Sequence, residues 1–161
     1  MSDFDRAVDI VLRLEDATLS GKVTNDTGGL TRYGISQRAY PSTDIANLTL
    51  DQAKFLYHSD YWNPASCDGL SWPLSLFVFD AAINQGVDAA IRMLQQEAGT
   101  AIDGILGVQT LKAISKHDTQ ELAALFLARR ALRYTGTKNF DQYGRGWLAR
   151  LMRIAMKANV A

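Results

Sequence analysis

Apolar residues recur at three- and four-residue spacing along most of the chain, which predicts helices joined by short connections. The first covers 2–15, SDFDRAVDIVLRLE, with Phe4, Ala7, Val8, Val11 and Leu12 on one face. Ser2 followed by Asp5 gives it a capping-box start. Thr49 and Gln52 make a second such box before LDQAKFLYHSDYW, which stops at Asn63-Pro64. PLSLFVFDAAI (73–83) begins at a proline and is apolar around nearly its whole circumference, so it is expected at the centre of the core. VDAAIRMLQQEAG ends at Gly99, a natural left-handed cap. Asp118 and Glu121 open TQELAALFLARRALRY, and RGWLARLMRIAMKA (145–158) is a final amphipathic helix.

Residues 16–34 break this rhythm. Gly21, Gly28, Gly29 and Gly34, set among Thr24, Asn25, Asp26 and Thr27, read as turns around a small hairpin on Lys22–Val23 and Thr31–Tyr33. The fold class is therefore mainly α, with a β-hairpin or loop excursion near residues 20–34. DGILG (103–107) has one acid and reads as a turn opening the next helix rather than a cation loop. His58 and His117 have no partner at metal-ligand spacing, so no metal site is expected.

Glu15 stands at the end of the first helix. Counting back by four, seven and eleven reaches Val11, Val8 and Phe4, which puts Glu15 on the core-facing side. Burial and the helix C-terminus both disfavour a negative charge there, and a carboxyl kept protonated is what a general acid needs. A structural ion pair is the competing explanation. Of the chain's other two glutamates, Glu121 belongs to a helix cap and Glu97 lies in a last turn, on what reads as an exposed side. Downstream, Asp26 lies in NDTGG and Thr31 follows five residues later. A second carboxylate across a cleft, with a hydroxyl to hold water, would complete a hydrolytic set. Read alone, the same residues are a turn-former and a strand residue.

Composition narrows the classes. The 161 residues, 47% hydrophobic and 21% charged, suit one domain with a real core. A single cysteine, Cys67, excludes an internal disulfide and reads as a small core filler. No apolar window reaches membrane-spanning length, and MSDFDRAVDI lacks the layout of a signal peptide. The net charge is zero but uneven. Residues 129–161 carry eight Lys+Arg and one acid (+7), whereas residues 1–128 carry nine bases and sixteen acids (−7). Either the C-terminal part faces a polyanion, or the two parts neutralise each other in the fold. Nucleic acid is not favoured, because Trp147, Leu148, Leu151 and Ile154 read as a core stripe with the cations beside it.

Four motifs in order carry a resemblance: DTGGLTRYGIS (26–36), SDYWNPASCDGL (59–70), FVFDAAINQG (77–86) and LQQEAGTAIDGILGVQTLKAI (94–114). With them the chain resembles the family-108 glycoside hydrolases, endolysins and muramidases of the lysozyme-like superfamily, followed by a peptidoglycan-binding-like segment. It departs from their pattern after the glutamate. EDATLSGK stands in place of glycine-glycine-tyrosine, with Glu15 about two residues farther from the aspartate, so the cleft floor is expected to differ.

The resemblance implies a single lysozyme-like domain, with 1–86 the catalytic portion and 87–161 a helical portion packed on it. It implies Glu15 as general acid, Asp26 as the carboxylate that stabilises the transition state or helps activate water, and Thr31 as the residue positioning that water. Tyr33, Asn84 and Gln85 become cleft candidates, although Asn84 and Gln85 also read as a polar pair ending a helix. The implied substrate is the β-1,4 bond between N-acetylmuramic acid and N-acetylglucosamine, with no cofactor. A monomer is expected, made in a host cytoplasm and released through a phage-encoded pore, with envelope contact through the basic C-terminal region. A lytic transglycosylase and a non-catalytic wall-binding protein are the alternatives.

Overall fold

The computed structural model describes residues 1–26 and 29–159, with Asp26 described through its backbone alone. Helices run over Asp3–Glu15 (α1), Leu50–Tyr57 (α2), Leu74–Gln85 (α3), Val87–Ala98 (α4), Val108–Ile114 (α5), Thr119–Thr135 (α6) and Phe140–Ala158 (α7). Between α1 and α2, strands Thr24–Asp26 (β1), Gly29–Arg32 (β2) and Ile35–Ser36 (β3) form an antiparallel sheet in the order β1-β2-β3. This is the mainly helical, lysozyme-like arrangement that the hydrophobic pattern and the motifs lead one to expect.

Local chemistry sets the helix starts. Ser2 accepts from the Asp5 amide while the Asp5 carboxylate accepts from the Ser2 amide, and Thr49 and Gln52 do the same for α2. Each such cap contributes about 1 kcal/mol. Beyond Tyr57, residues His58–Trp62 continue as a turn of π-helix rather than ending α2 in regular form. The hairpin is displaced from its expected place. Asp26 pairs with Gly29, so β1 starts two residues later than Lys22, and β3 adds a strand that the pattern did not mark. Helix α7 begins at Phe140 instead of Arg145. Gly144 and Gly146 look like breakers, but the Phe140 ring packs against Gly144, where a side chain would collide with it.

At the centre lies α3, buried from Leu74 to Ala82 and packed against α1, α4, α6 and α7. One hydrophobic cluster takes in Val8 and Leu12 of α1, Trp62, Phe79 of α3, Leu94 of α4, Phe126 of α6 and Ile154 of α7. Burying each such side chain contributes roughly 1.5–3 kcal/mol. The C-terminal helices thus share a core with the segment that carries Glu15. Cys67 is fully buried in it, and burial pushes its thiol pKa well up, as befits a filler.

Candidate active site

Helix α1 ends at a cleft of about 420 Å³ lined by Glu15, Asp16, Ala17, Ser20, Lys22, Thr24, Thr31, Tyr33 and Gly34. The sheet supplies the opposite wall. Thr24 faces Thr31 across β1 and β2, and Thr31 faces Ser36 across β2 and β3. Glu15, Thr31 and Tyr33 therefore share one cavity. The side chain of Asp26 lies outside the described residues, while its backbone stands two positions along β1 from Thr24.

The burial expected of Glu15 is not met. Its side chain is 46% exposed, and Oε1 accepts a hydrogen bond from Arg150 Nη1. The apolar face of α1 ends one turn earlier, at Leu12, and the final turn projects into the cleft. A cation from α7 meets the carboxylate where the helix carbonyls would repel it.

Arg150 reaches the cleft from the interior. Its Nε and Nη2 donate to Oδ1 of Asp80 at 3.0 and 2.7 Å, leaving Nη1 for Glu15. Asp80, on α3, is fully buried, and its Oδ2 accepts from Nη2 of the equally buried Arg130 at 2.7 Å. Two carboxylates and two guanidiniums thus form one chain of charges from the core to the cleft. Burial works against the Arg150 cation, but the Asp80 and Glu15 charges outweigh it and hold its pKa above the ordinary value. Buried Tyr57 supports the Tyr33 segment of the cleft by donating to the Tyr33 carbonyl at 3.1 Å. Burial, then the Glu15 charge, push the Tyr57 hydroxyl pKa up.

Asp16 organises the segment that departs from the family pattern. Its Oδ2 accepts from the Ser20 hydroxyl at 2.6 Å and the Ser20 amide at 2.7 Å, and its Oδ1 from the Thr18 hydroxyl at 2.8 Å and amide at 3.0 Å. The bonds from Ser20 and Thr18 lower its pKa to about 2. The chain then turns at Gly21, in the left-handed region, against which the Tyr33 ring packs too closely for any side chain. A further left-handed glycine, Gly34, brings the backbone of the sheet beside Glu15 and Tyr57.

Asn84 and Gln85 lie elsewhere. With Arg133, Tyr134, Thr137 and Trp147 they line a separate cavity of about 280 Å³. Asn84 donates to the Asp80 carbonyl at 2.7 Å, and Gln85 accepts from Arg130 Nε at 2.9 Å, so both brace the charge network at the end of α3. Glu97 is also not on an exposed side. Its side chain is 13% exposed and accepts from Arg129 Nε. Three of the eight C-terminal cations, Arg129, Arg130 and Arg150, are thereby paired with upstream acids. Internal neutralisation accounts for that part of the charge asymmetry.

A mainly helical domain with a glutamate at the end of its first helix, facing a small sheet across a cleft, is the architecture of lysozyme-like glycosidases. Residues 11–86 match the model of glycosyl hydrolase 108, and residues 89–152 match that of a predicted peptidoglycan domain. Residues 11–86 are therefore a hydrolase portion of the glycosyl hydrolase 108 type, followed by a peptidoglycan-domain segment. Twelve solved chains match. Among them is SagA of Brucella abortus, 27% identical with a TM-score of 0.84, the match covering 98% of this chain and 94% of that one. No curated protein matches it. The chain is a glycoside hydrolase acting on peptidoglycan.

Proposed function

We propose that this hydrolase cleaves the β-1,4 bond between N-acetylmuramic acid and N-acetylglucosamine, with Glu15 as general acid on the leaving oxygen. The observation that carries the reading is the cleft itself: Glu15 on one wall and Thr31 on the other, with room between them for a glycan. Arg150 holds the carboxyl at the helix end, and because most of its donors serve Asp80 it fixes Glu15 through a single N–H. A glycan entering the cleft displaces water from the exposed carboxyl, which strengthens its interactions with the scissile bond. Thr31 positions the attacking water, and Asp26, on the paired strand, supplies the second carboxylate. In this reading Tyr33 contacts the sugar from the floor. The motifs at 26–36, 59–70 and 77–86, which resemble those of endolysins, are the support for synthesis in a host cytoplasm and pore-mediated access to the wall at lysis.

Product analysis of digested wall tests the assignment. Hydrolysis at this bond leaves a reducing muramic acid end. A 1,6-anhydro end would mean that the muramic 6-hydroxyl replaces water, as in a lytic transglycosylase, and a reducing glucosamine end would mean that the other glycosidic bond is cut.

A further inference from the structure

Another cavity, of about 350 Å³, opens along the seam between α1 and α7, lined by Arg13, Leu14, Ala17, Arg153, Met156 and Lys157. Ala17 also lines the catalytic cleft, so the two cavities share a wall. Arg13 stands at that wall. Its Nη1 donates to the Ala17 carbonyl at 3.3 Å, while its Nε pairs with Asp9 at 2.8 Å. With Arg13 compensated by Asp9, the exposed Arg153 and Lys157 leave the cavity with two net positive charges and no acid in its lining. Of the two carboxylates beside this lining in sequence, Asp16 is taken up by Thr18 and Ser20, and Glu15 is paired with Arg150.

Helical geometry places these cations in line with the catalytic centre. Arg150, Arg153 and Lys157 follow i, i+3, i+7 spacing on α7, which keeps them on one face. Arg150 meets Glu15. At ~1.5 Å per residue, Arg153 lies about 4.5 Å and Lys157 about 10 Å farther along the helix axis. An extended peptide covers ~10 Å in three residues. Leu14 and Met156 give the cavity apolar sides against which a short peptide backbone can lie.

We propose that this seam is a subsite for the acidic peptide stem borne by the muramic acid, with Arg153 and Lys157 pairing its carboxylates while the glycan occupies the cleft. The inference rests on the peptidoglycan-cleaving reading. It makes α7 serve twice, Arg150 positioning the acid and the next two turns reading the substituent beside the scissile bond. Exposed pairs of this kind contribute little each and weaken with salt, so the subsite adjusts substrate preference rather than turnover.

The test is a comparison of the full-length chain with its R153Q/K157Q variant on stem-bearing peptidoglycan and on the same glycan stripped of its peptides. The expected result is a rise in KM of roughly threefold to thirtyfold on the stem-bearing wall alone, with kcat unchanged and the effect fading at high salt. Arg153→Lys should retain wild-type behaviour. An equal rise on both glycans, or no rise on either, overturns the subsite. An NMR titration with an isolated alanyl-glutamyl-diaminopimelate stem separates this from the cleavage reading, since it needs no catalysis. Shifts at Arg13, Arg153 and Lys157 that disappear in the variant support the subsite even if the glycan bond cut is another one. No shift with the stem, but variant-sensitive binding to vesicles containing anionic lipid, would make the cations a surface contact and refute the proposal.

Discussion

Arg150 joins the exposed carboxylate of Glu15 to the fully buried carboxylate of Asp80, 70 residues away from itself in sequence. The last helix thereby sets the electrostatics at the end of the first. The residues that match a peptidoglycan domain include both guanidiniums bound to Asp80, so the hydrolase portion is electrostatically incomplete without them.

Removing Arg150 and removing Asp80 are expected to have unequal costs. Arg150→Gln leaves Asp80 with Arg130, so the loss of stability should stay near ~1–3 kcal/mol, with a larger proportional loss of turnover as Glu15 is released. Asp80→Asn leaves two guanidiniums facing a neutral amide, one of them fully buried, and should cost ~3–5 kcal/mol. Urea unfolding of both variants checks the order. If Asp80→Asn proves the milder change, the carboxylate is not the centre of the network.

The Asp16 turn should respond to acid. Its pKa in the fold, about 2, lies below the unfolded value. Its hydrogen bonds therefore stabilise fully above about pH 4 and are lost as pH falls through about 2. Amide exchange at Thr18 and Ser20 should accelerate over that window in the native chain. In Asp16→Asn the exchange should be fast throughout and show no such step. A step that survives the substitution would assign it to another group.

Much of this fold is legible in the sequence because its causes are local. Both capping boxes lie within four consecutive residues, and the all-round apolar character of 73–83 announces a central helix whatever surrounds it. The glutamate at the end of α1 and the threonine facing it could be found the same way. The environment of Glu15 could not, because it depends on a residue 135 positions away. Helical periodicity put Arg150 beside an apolar stripe but not into an ion pair. Asp80 did leave a signal: a lone acid in a helix apolar on every side requires a buried cation, and two of the C-terminal arginines supply it. The early start of α7 escaped because Gly144 serves as a seat for Phe140, a packing effect that propensity does not register.

Thr31→Val deletes one hydroxyl while keeping the branched shape that suits β2. Stability should change by no more than ~1–2 kcal/mol, while hydrolysis of polymeric wall falls. Asp26→Asn should behave alike. If both variants digest wall at the native rate, water is not positioned by this pair and the transglycosylase route gains support.

The most direct measurement is the wall-clearing rate of Glu15→Gln against the native chain, with thermal unfolding recorded on the same samples. The substitution is nearly isosteric at an exposed position, and the amide oxygen can still accept from Arg150. A native-like fold and a loss of activity of ~10²–10⁴-fold are expected. A folded Glu15→Gln protein that clears wall at close to the native rate would contradict this expectation and remove Glu15 from the mechanism.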